Sequence, residues 1–222
     1  MTLHLSKPIL YLITRGATTE VTTADSPEFA EILDQVSAAI DAGIDLIQIR
    51  EKQLTGRVLF DLVTEASTRA RGTNTRVLVN DRADIAAAAG AHGVHLTAQS
   101  LSAATVRKAF GEDFVIGVST HALNDARGAR DERADFAVFG PVFETKSKKM
   151  FGPPQGMRML SHVAQALAGF PILALGGVSL MNARECLATG ARGIAGIGLF
   201  EEPANFSKLC SIIRGSERER TE

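Results

Sequence analysis

Short apolar runs alternate with longer amphipathic stretches along almost the whole chain, and no other feature narrows the fold as much. The runs fall at 9–13, 46–49, 77–79, 93–96, 114–118, 136–139, 172–175 and 193–197. Each is mostly aliphatic or β-branched and is bounded by Gly, Asp, Arg or Pro. Strands buried on both faces of a parallel sheet read this way. Between them, helical spacing predicts helices over 27–42, 56–70, 103–110, 123–130, 157–168, 180–189 and 204–213. The first carries Phe29, Ile32, Leu33, Val36 and Ile40 on one stripe, with Ser26 placed to cap it and Pro27 in its first turn. Gly43, Gly72, Gly169 and Gly190 stand where helices stop. Alternation of about eight strands with about eight helices in a chain this long is what a (β/α)8 TIM barrel of the α/β class requires. An open doubly wound sheet shares the alternation, but no GxGxxG follows the first run, which weakens a dinucleotide-binding version. No polar linker marks a second domain, so a barrel is expected over 1–214, with 215–222 a charged, frayed tail.

Charge and composition remove several functions. With 24 Lys+Arg against 25 Asp+Glu, the formal charge is −1, too close to neutral to hold nucleic acid or an anionic membrane by bulk charge. One Tyr and no Trp leave few rings on which to stack single-stranded bases. Cys186 and Cys210 form no CxxC pair, which points to a reduced compartment without a disulfide framework. The N-terminal residues lack the basic and apolar regions of a signal peptide, and no apolar stretch is long enough to span a bilayer. The expectation is a cytoplasmic protein with small-molecule ligands, no nucleic-acid or membrane partner, and a homo-oligomer left open.

A parallel barrel builds its active site at the carboxyl ends of its strands, so the polar residues after each run matter most. After the second run come Gln48, Arg50, Glu51 and Lys52; after the third, Asn80, Asp81 and Arg82; after the fifth, Ser119, Thr120 and His121. The sixth is followed by Gly140-Pro141 and then Thr145, Ser147 and Lys148; the last two end in Gly176-Gly177 and in Gly196 and Gly198. Arg50, Lys52 and Lys148 converging on one mouth suit a ligand carrying phosphate or diphosphate. Asp81 could hold a divalent cation bridging phosphate oxygens. Glycines after the last two strands let backbone N–H groups approach a second phosphate. Plainer readings stand beside these. Arg-Glu-Lys can be a solvated ion-pair cluster, Asp81 a helix cap, and Gly176-Gly177 a tight turn. His95 lies inside an apolar run and reads as packed. His121 directly follows a strand and is the better acid/base candidate, whereas His4, His92 and His162 read as surface or helix residues.

These segments occur in a telling order: QIREK at 48–52, VNDR at 79–82, GVHL at 93–96, IGVSTH at 116–121, GPVFETKSK at 140–148 and LGGV at 175–178. Together they resemble the thiamine phosphate synthase / thiazole tautomerase superfamily over about 10–200. The resemblance implies a (β/α)8 barrel acting in thiamine biosynthesis. A synthase joins hydroxymethylpyrimidine diphosphate to thiazole phosphate and releases diphosphate, with Mg2+ and basic residues stabilising the leaving group. Matched by motif, Gln48, Arg50, Lys52, Asn80 and Lys148 would contact the pyrimidine diphosphate, and Asp81 would hold Mg2+. Ser119 would sit beside the pyrimidine or diphosphate. Thr145 and Ser147 would meet the thiazole substrate, and the Gly177 and Gly198 backbones its phosphate. Arg50, Lys148 and His121 are the residues expected to carry the chemistry.

The chain also departs from the synthase pattern. Thr97-Ala98-Gln99-Ser100 puts Ser100 where the second Mg2+ carboxylate is expected, and Glu144 replaces a proline. Gly196 and its neighbours lack the serine common near the eighth strand. These changes resemble the sister activity, a thiazole tautomerase that needs no metal and uses a histidine at the position of His121. Retention of Gln48, Arg50, Lys52, Asn80 and Asp81 points to the synthase, since a tautomerase binds no diphosphate. A non-catalytic barrel that binds thiazole or thiamine phosphate is the third reading.

Overall fold

All the apolar runs pair side by side in chain order and close on themselves. The computed structural model describes residues 8–145 and 154–215. In it β1 (Ile9–Ile13), β2 (Leu46–Ile49), β3 (Arg76–Asn80), β4 (Gly93–Leu96), β5 (Val115–Thr120), β6 (Phe136–Phe139), β7 (Ile172–Ala174) and β8 (Gly193–Gly196) form a closed barrel. Every neighbouring pair is parallel, and β8 returns to β1 with Tyr11 opposite Ala195. Helices α1 (Pro27–Asp41), α2 (Gly56–Ala70), α3 (Ala83–Ala88), α4 (Ala103–Phe110), α5 (Leu123–Asp131), α6 (Gly156–Ala166), α7 (Ala183–Ala188) and α8 (Phe206–Arg214) lie outside. This is the expected α/β TIM barrel. The tail at 216–222 lies outside the described residues.

Two apolar layers follow from the period-two alternation of the strands. Tyr11, Leu46, Leu78, Phe136, Val138 and Leu173 point inward and fill the barrel. Their neighbours Leu10, Leu12, Ile47, Val77, Val79 and Ile194 point outward and pack under the helices. Gly117 is required by this filling: a Cβ there would lie 2.3 Å from Cζ of Phe136 and 2.8 Å from Nδ1 of His95.

The foot of the barrel is tied by buried polar groups. Asp45 accepts from the Leu10 amide at 2.7 Å and from the Arg214 guanidinium at 2.5 Å, which fastens α8 across the base. Buried Arg107 donates to the Phe114 carbonyl at 2.6 Å and to Asp135 at 2.7 Å. His92, read from sequence as a surface or helix residue, accepts the Val77 amide at 3.1 Å. Among the described residues no helix is long and apolar enough to cross a membrane.

Two helices differ from the periodicity. Helix α3 has six residues of ADIAAA, too few to present a stripe. Helix α7 starts at Ala183 and not at 180, because Asn182 Oδ1 accepts the Ser179 amide at 2.8 Å and closes a turn first.

Candidate active site

At the end of β2 the side chains alternate in direction, and this separates a ligand face from a tether. Gln48 points inward and is buried; its Nε2 donates to Asn80 Oδ1 at 3.0 Å, and its Oε1 accepts from the Tyr11 hydroxyl at 3.3 Å. Arg50 is half-buried, with its amide held by Thr14 Oγ1 at 2.8 Å. Lys52 is exposed. Neither cationic head pairs with a carboxylate among the described residues. Glu51 faces the other way, 3% exposed, and accepts from the Gly16 amide, the Thr18 amide and the Thr18 hydroxyl at 3.1, 3.1 and 2.8 Å. The Arg-Glu-Lys segment is therefore no surface ion-pair cluster. Its carboxylate pins the β1–α1 loop, and its two cations are left for an anion.

Asp81 follows β3 in an unusual conformation. Its φ is +63°, a left-handed value that non-glycine residues rarely adopt. The amide donates to the His95 carbonyl at 2.9 Å, and the side chain is exposed. It does not cap α3, whose start has no side-chain cap bond, so the plain cap reading fails. Arg82 spends its fork on Asp84, at 2.8 and 2.6 Å, and acts on the Asp81 carboxylate only through weaker charge attraction. Strain of this kind is held in place by surrounding structure and clusters at functional sites.

On the next strand end, Ser100 is absorbed by its own loop. Its hydroxyl accepts the Thr97 amide at 2.8 Å and lies 3.1 Å from Thr97 Oγ1. A short polar side chain suits this turn, and the position contributes no charge to the mouth.

Two histidines occupy opposite environments. His95 is 2% exposed, with ring centroids 5.7 Å from Tyr11 and 6.1 Å from Phe136. Burial pushes its pKa down to about 3, and Nε2 lies 2.9 Å from the half-buried Ser119 Oγ. His95 is packed, as read. His121 is exposed at the rim, with Nδ1 hydrogen-bonded to the Gly140 carbonyl. Asp125 Oδ2 fixes the backbone there by accepting the His121 and Ala122 amides, both at 3.0 Å. A ring that donates Nδ1–H to a carbonyl presents the Nε2 lone pair outward.

The far side of the mouth is backbone-rich. Gly176 and Gly177 have φ values of +96° and +65°. A Cβ on Gly176 would lie 2.6 Å from Pro141 Cα, and one on Gly177 would lie 2.6 Å from Phe143 Cβ. The pair is thus more than a turn, because it lets residues 141–144, after β6, seat directly on the β7–α7 loop. The Thr145 hydroxyl is buried there without a partner among the described residues. Gly198 opens a short 3-10 turn, Gly198–Phe200, where a Cβ would lie 3.9 Å from Glu201 Oε1. The Gly177 and Gly198 amides donate to no group among the described residues. Ser147 and Lys148, both expected at this mouth, lie outside the described residues.

Sequence reading missed three supports: Tyr11 beneath Gln48, Thr14 behind Arg50, and Asn182, whose Nδ2 donates to the Gly177 carbonyl at 3.1 Å. Tyr11 is the sole tyrosine of the chain and sits in an apolar strand, where a hydroxyl needs a partner. Thr14 and Asn182 carry no comparable signal.

Comparison with known proteins agrees with this geometry. A family model described as thiamine monophosphate synthase matches residues 11–200. A putative thiamine-phosphate synthase of Geobacter sulfurreducens is 40% identical over 165 residues, which is 74% of this chain and 77% of the relative. A thiamine-phosphate synthase of Chlorobium phaeobacteroides is 38% identical over 173 residues, covering 78% of this chain and 84% of that one. The solved structure of a thiamine phosphate pyrophosphorylase from Pyrococcus furiosus superposes with a TM-score of 0.77 at 26% identity, over 97% of this chain and 98% of the other.

Proposed function

The chain belongs to the thiamine monophosphate synthase family, and from that premise we propose that it couples hydroxymethylpyrimidine diphosphate to thiazole phosphate and releases diphosphate. It is a transferase of thiamine biosynthesis with phosphorylated small-molecule substrates. The observation that carries the assignment is the pair of uncommitted cations, Arg50 and Lys52, beside an exposed Asp81 on adjacent strand ends. A site that only isomerised a thiazole carboxylate would have no diphosphate for them to hold.

Mg2+ fits this donor set. Asp81 offers one carboxylate, and among the described residues no group of three or more His, Cys, Asp or Glu forms a cage. A hard ion that takes its remaining oxygens from phosphate and water suits such a site. Asp81 would hold the ion, and Ser100 would not, since its hydroxyl is committed to Thr97. Bound Mg2+ supplies positive charge against the diphosphate oxygens.

The residues divide the work. Arg50, Lys52 and Lys148 stabilise the negative charge that grows on the departing diphosphate by placing positive charge against it. Gln48 and Asn80, locked to each other and to Tyr11, present fixed amide groups to the pyrimidine end. Ser119 adds a hydroxyl beside them. The Gly177 and Gly198 amides bind the thiazole phosphate, while the Thr145 hydroxyl and Ser147 contact the same substrate. His121 offers Nε2 at the rim as a hydrogen-bond acceptor toward substrate. Burial of both free cysteines, Cys186 and Cys210, accords with a reducing, cytoplasmic setting.

The test is product formation. Purified protein given both substrates and Mg2+ should yield thiamine phosphate and diphosphate in equal amounts. Absence of both products, from protein that binds either substrate, would overturn the assignment.

A further inference from the structure

His95 is a buried titratable side chain beneath the site to which the proposed reaction gives no task. It stands inside the barrel between Tyr11 and Phe136, far from water and bonded to no charged group among the described residues, and so it remains neutral. A neutral imidazole carries one proton, and the surroundings decide where. Nδ1 faces Gly117, where even a Cβ would lie at 2.8 Å, and it has no hydrogen-bond partner among the described residues. Nε2 lies 2.9 Å from Ser119 Oγ. A buried N–H without an acceptor is rarer and more costly than a buried lone pair without a donor. The proton therefore belongs on Nε2, and Nε2–H donates to Ser119 Oγ.

That choice has a consequence at the mouth. With one lone pair occupied from below by His95, the Ser119 hydroxyl keeps its own hydrogen for whatever lies above it. In the other tautomer Ser119 would donate downward to Nε2 and offer the ligand a lone pair instead. We propose that His95 is a positioning residue, whose Nε2–H makes Ser119 a fixed donor toward an acceptor atom of the pyrimidine diphosphate. This rests on the synthase reading for the identity of the ligand, while the tautomer itself does not depend on it. Gly117 takes part by leaving room for the ring, and Gln48, tied to Asn80, offers the neighbouring polar group.

Two measurements test it. Long-range proton–nitrogen NMR of the labelled protein, with His95→Gln used to assign one signal among the five histidines, should show the Nε2–H tautomer. An Nδ1–H pattern would overturn the proposal whether or not the protein couples its substrates. The second is a double-mutant cycle on His95→Leu and Ser119→Ala, read as the dissociation constant for the pyrimidine diphosphate with Mg2+ and as kcat/KM. His95→Leu should weaken both by about tenfold, the size of one lost hydrogen bond. His95→Gln, which keeps an N–H donor near the Nε2 position, should recover most of the loss. In the Ser119→Ala background His95→Leu should cost nothing more. Equal losses in both backgrounds would mean that His95 acts by packing alone and would overturn the proposal, as would no loss in either. Wild-type protein that does not bind pyrimidine diphosphate would instead count against the synthase reading, and the NMR result would still decide the tautomer.

Discussion

Arg50 and Ser100 show how single side chains divide the mouth between ligand and scaffold. Arg50 has its amide fixed by Thr14 and its guanidinium uncommitted, so removing it deletes charge from the site without orphaning a buried partner. Arg50→Ala should lower kcat/KM for coupling by about a hundredfold or more, as loss of a transition-state donor does. Its urea unfolding midpoint should stay close to that of the wild type. Ser100 serves a turn, and an aspartate could accept the same Thr97 amide while adding charge near Asp81. Ser100→Asp should therefore shift the Mg2+ activation curve to lower concentration by several-fold, a direct readout by Mg2+ titration. An unchanged curve would mean that Asp81 and substrate already complete the ion's shell.

At the scale of elements, the residues just after β6 are joined to the β7–α7 loop. The Val142 and Phe143 amides donate to the Leu175 and Gly176 carbonyls at 2.8 and 2.9 Å, and the two glycines allow that contact. Gly177→Ala places a Cβ at a left-handed φ and 2.6 Å from Phe143. It should raise KM for the thiazole phosphate by about tenfold or more, the worth of an amide bonded to a charged group, with little effect on the pyrimidine diphosphate. Initial rates with each substrate varied in turn separate the two. The strand ends were legible because buried parallel strands and their polar endings leave a strong local pattern, and all eight apolar runs became strands. Helix α3 was not legible, since six Ala-rich residues carry no periodicity. The opposed roles of Arg50 and Glu51 could be read as alternation but not as a tether, because Thr18 lies 33 positions away from Glu51 in the chain. For the same reason Tyr11 beneath Gln48 needed the closed barrel to be seen.

The whole molecule carries a pH dependence to which buried His95 and half-buried His92 contribute. Burial lowers the pKa of His92, with the positive charge of Arg76 adding to the effect, and burial alone takes His95 to about 3. Both bind their protons more tightly when unfolded, near the usual value of about 6.5. Their contribution to stability is complete above that pH and is lost as pH falls below it. Unfolding in the range just below pH 6 should take up between about one and two protons from these residues, and the urea midpoint should fall on going from pH 7.5 to 5.5. His92→Asn, which keeps an acceptor for the Val77 amide, should flatten that fall. The proposed activity of this barrel, with Asp81 as a candidate Mg2+ carboxylate in a basic mouth, is transfer of a pyrimidine and not isomerisation of a thiazole. Its most direct test follows both reactions in one preparation: diphosphate release with both substrates present, and isomerisation of thiazole carboxylate phosphate alone, each with Mg2+ and with EDTA. Mg2+-dependent diphosphate release matched by thiamine phosphate, and abolished by EDTA, is the expected result. Isomerisation that persists in EDTA, with no diphosphate released under either condition, would contradict it.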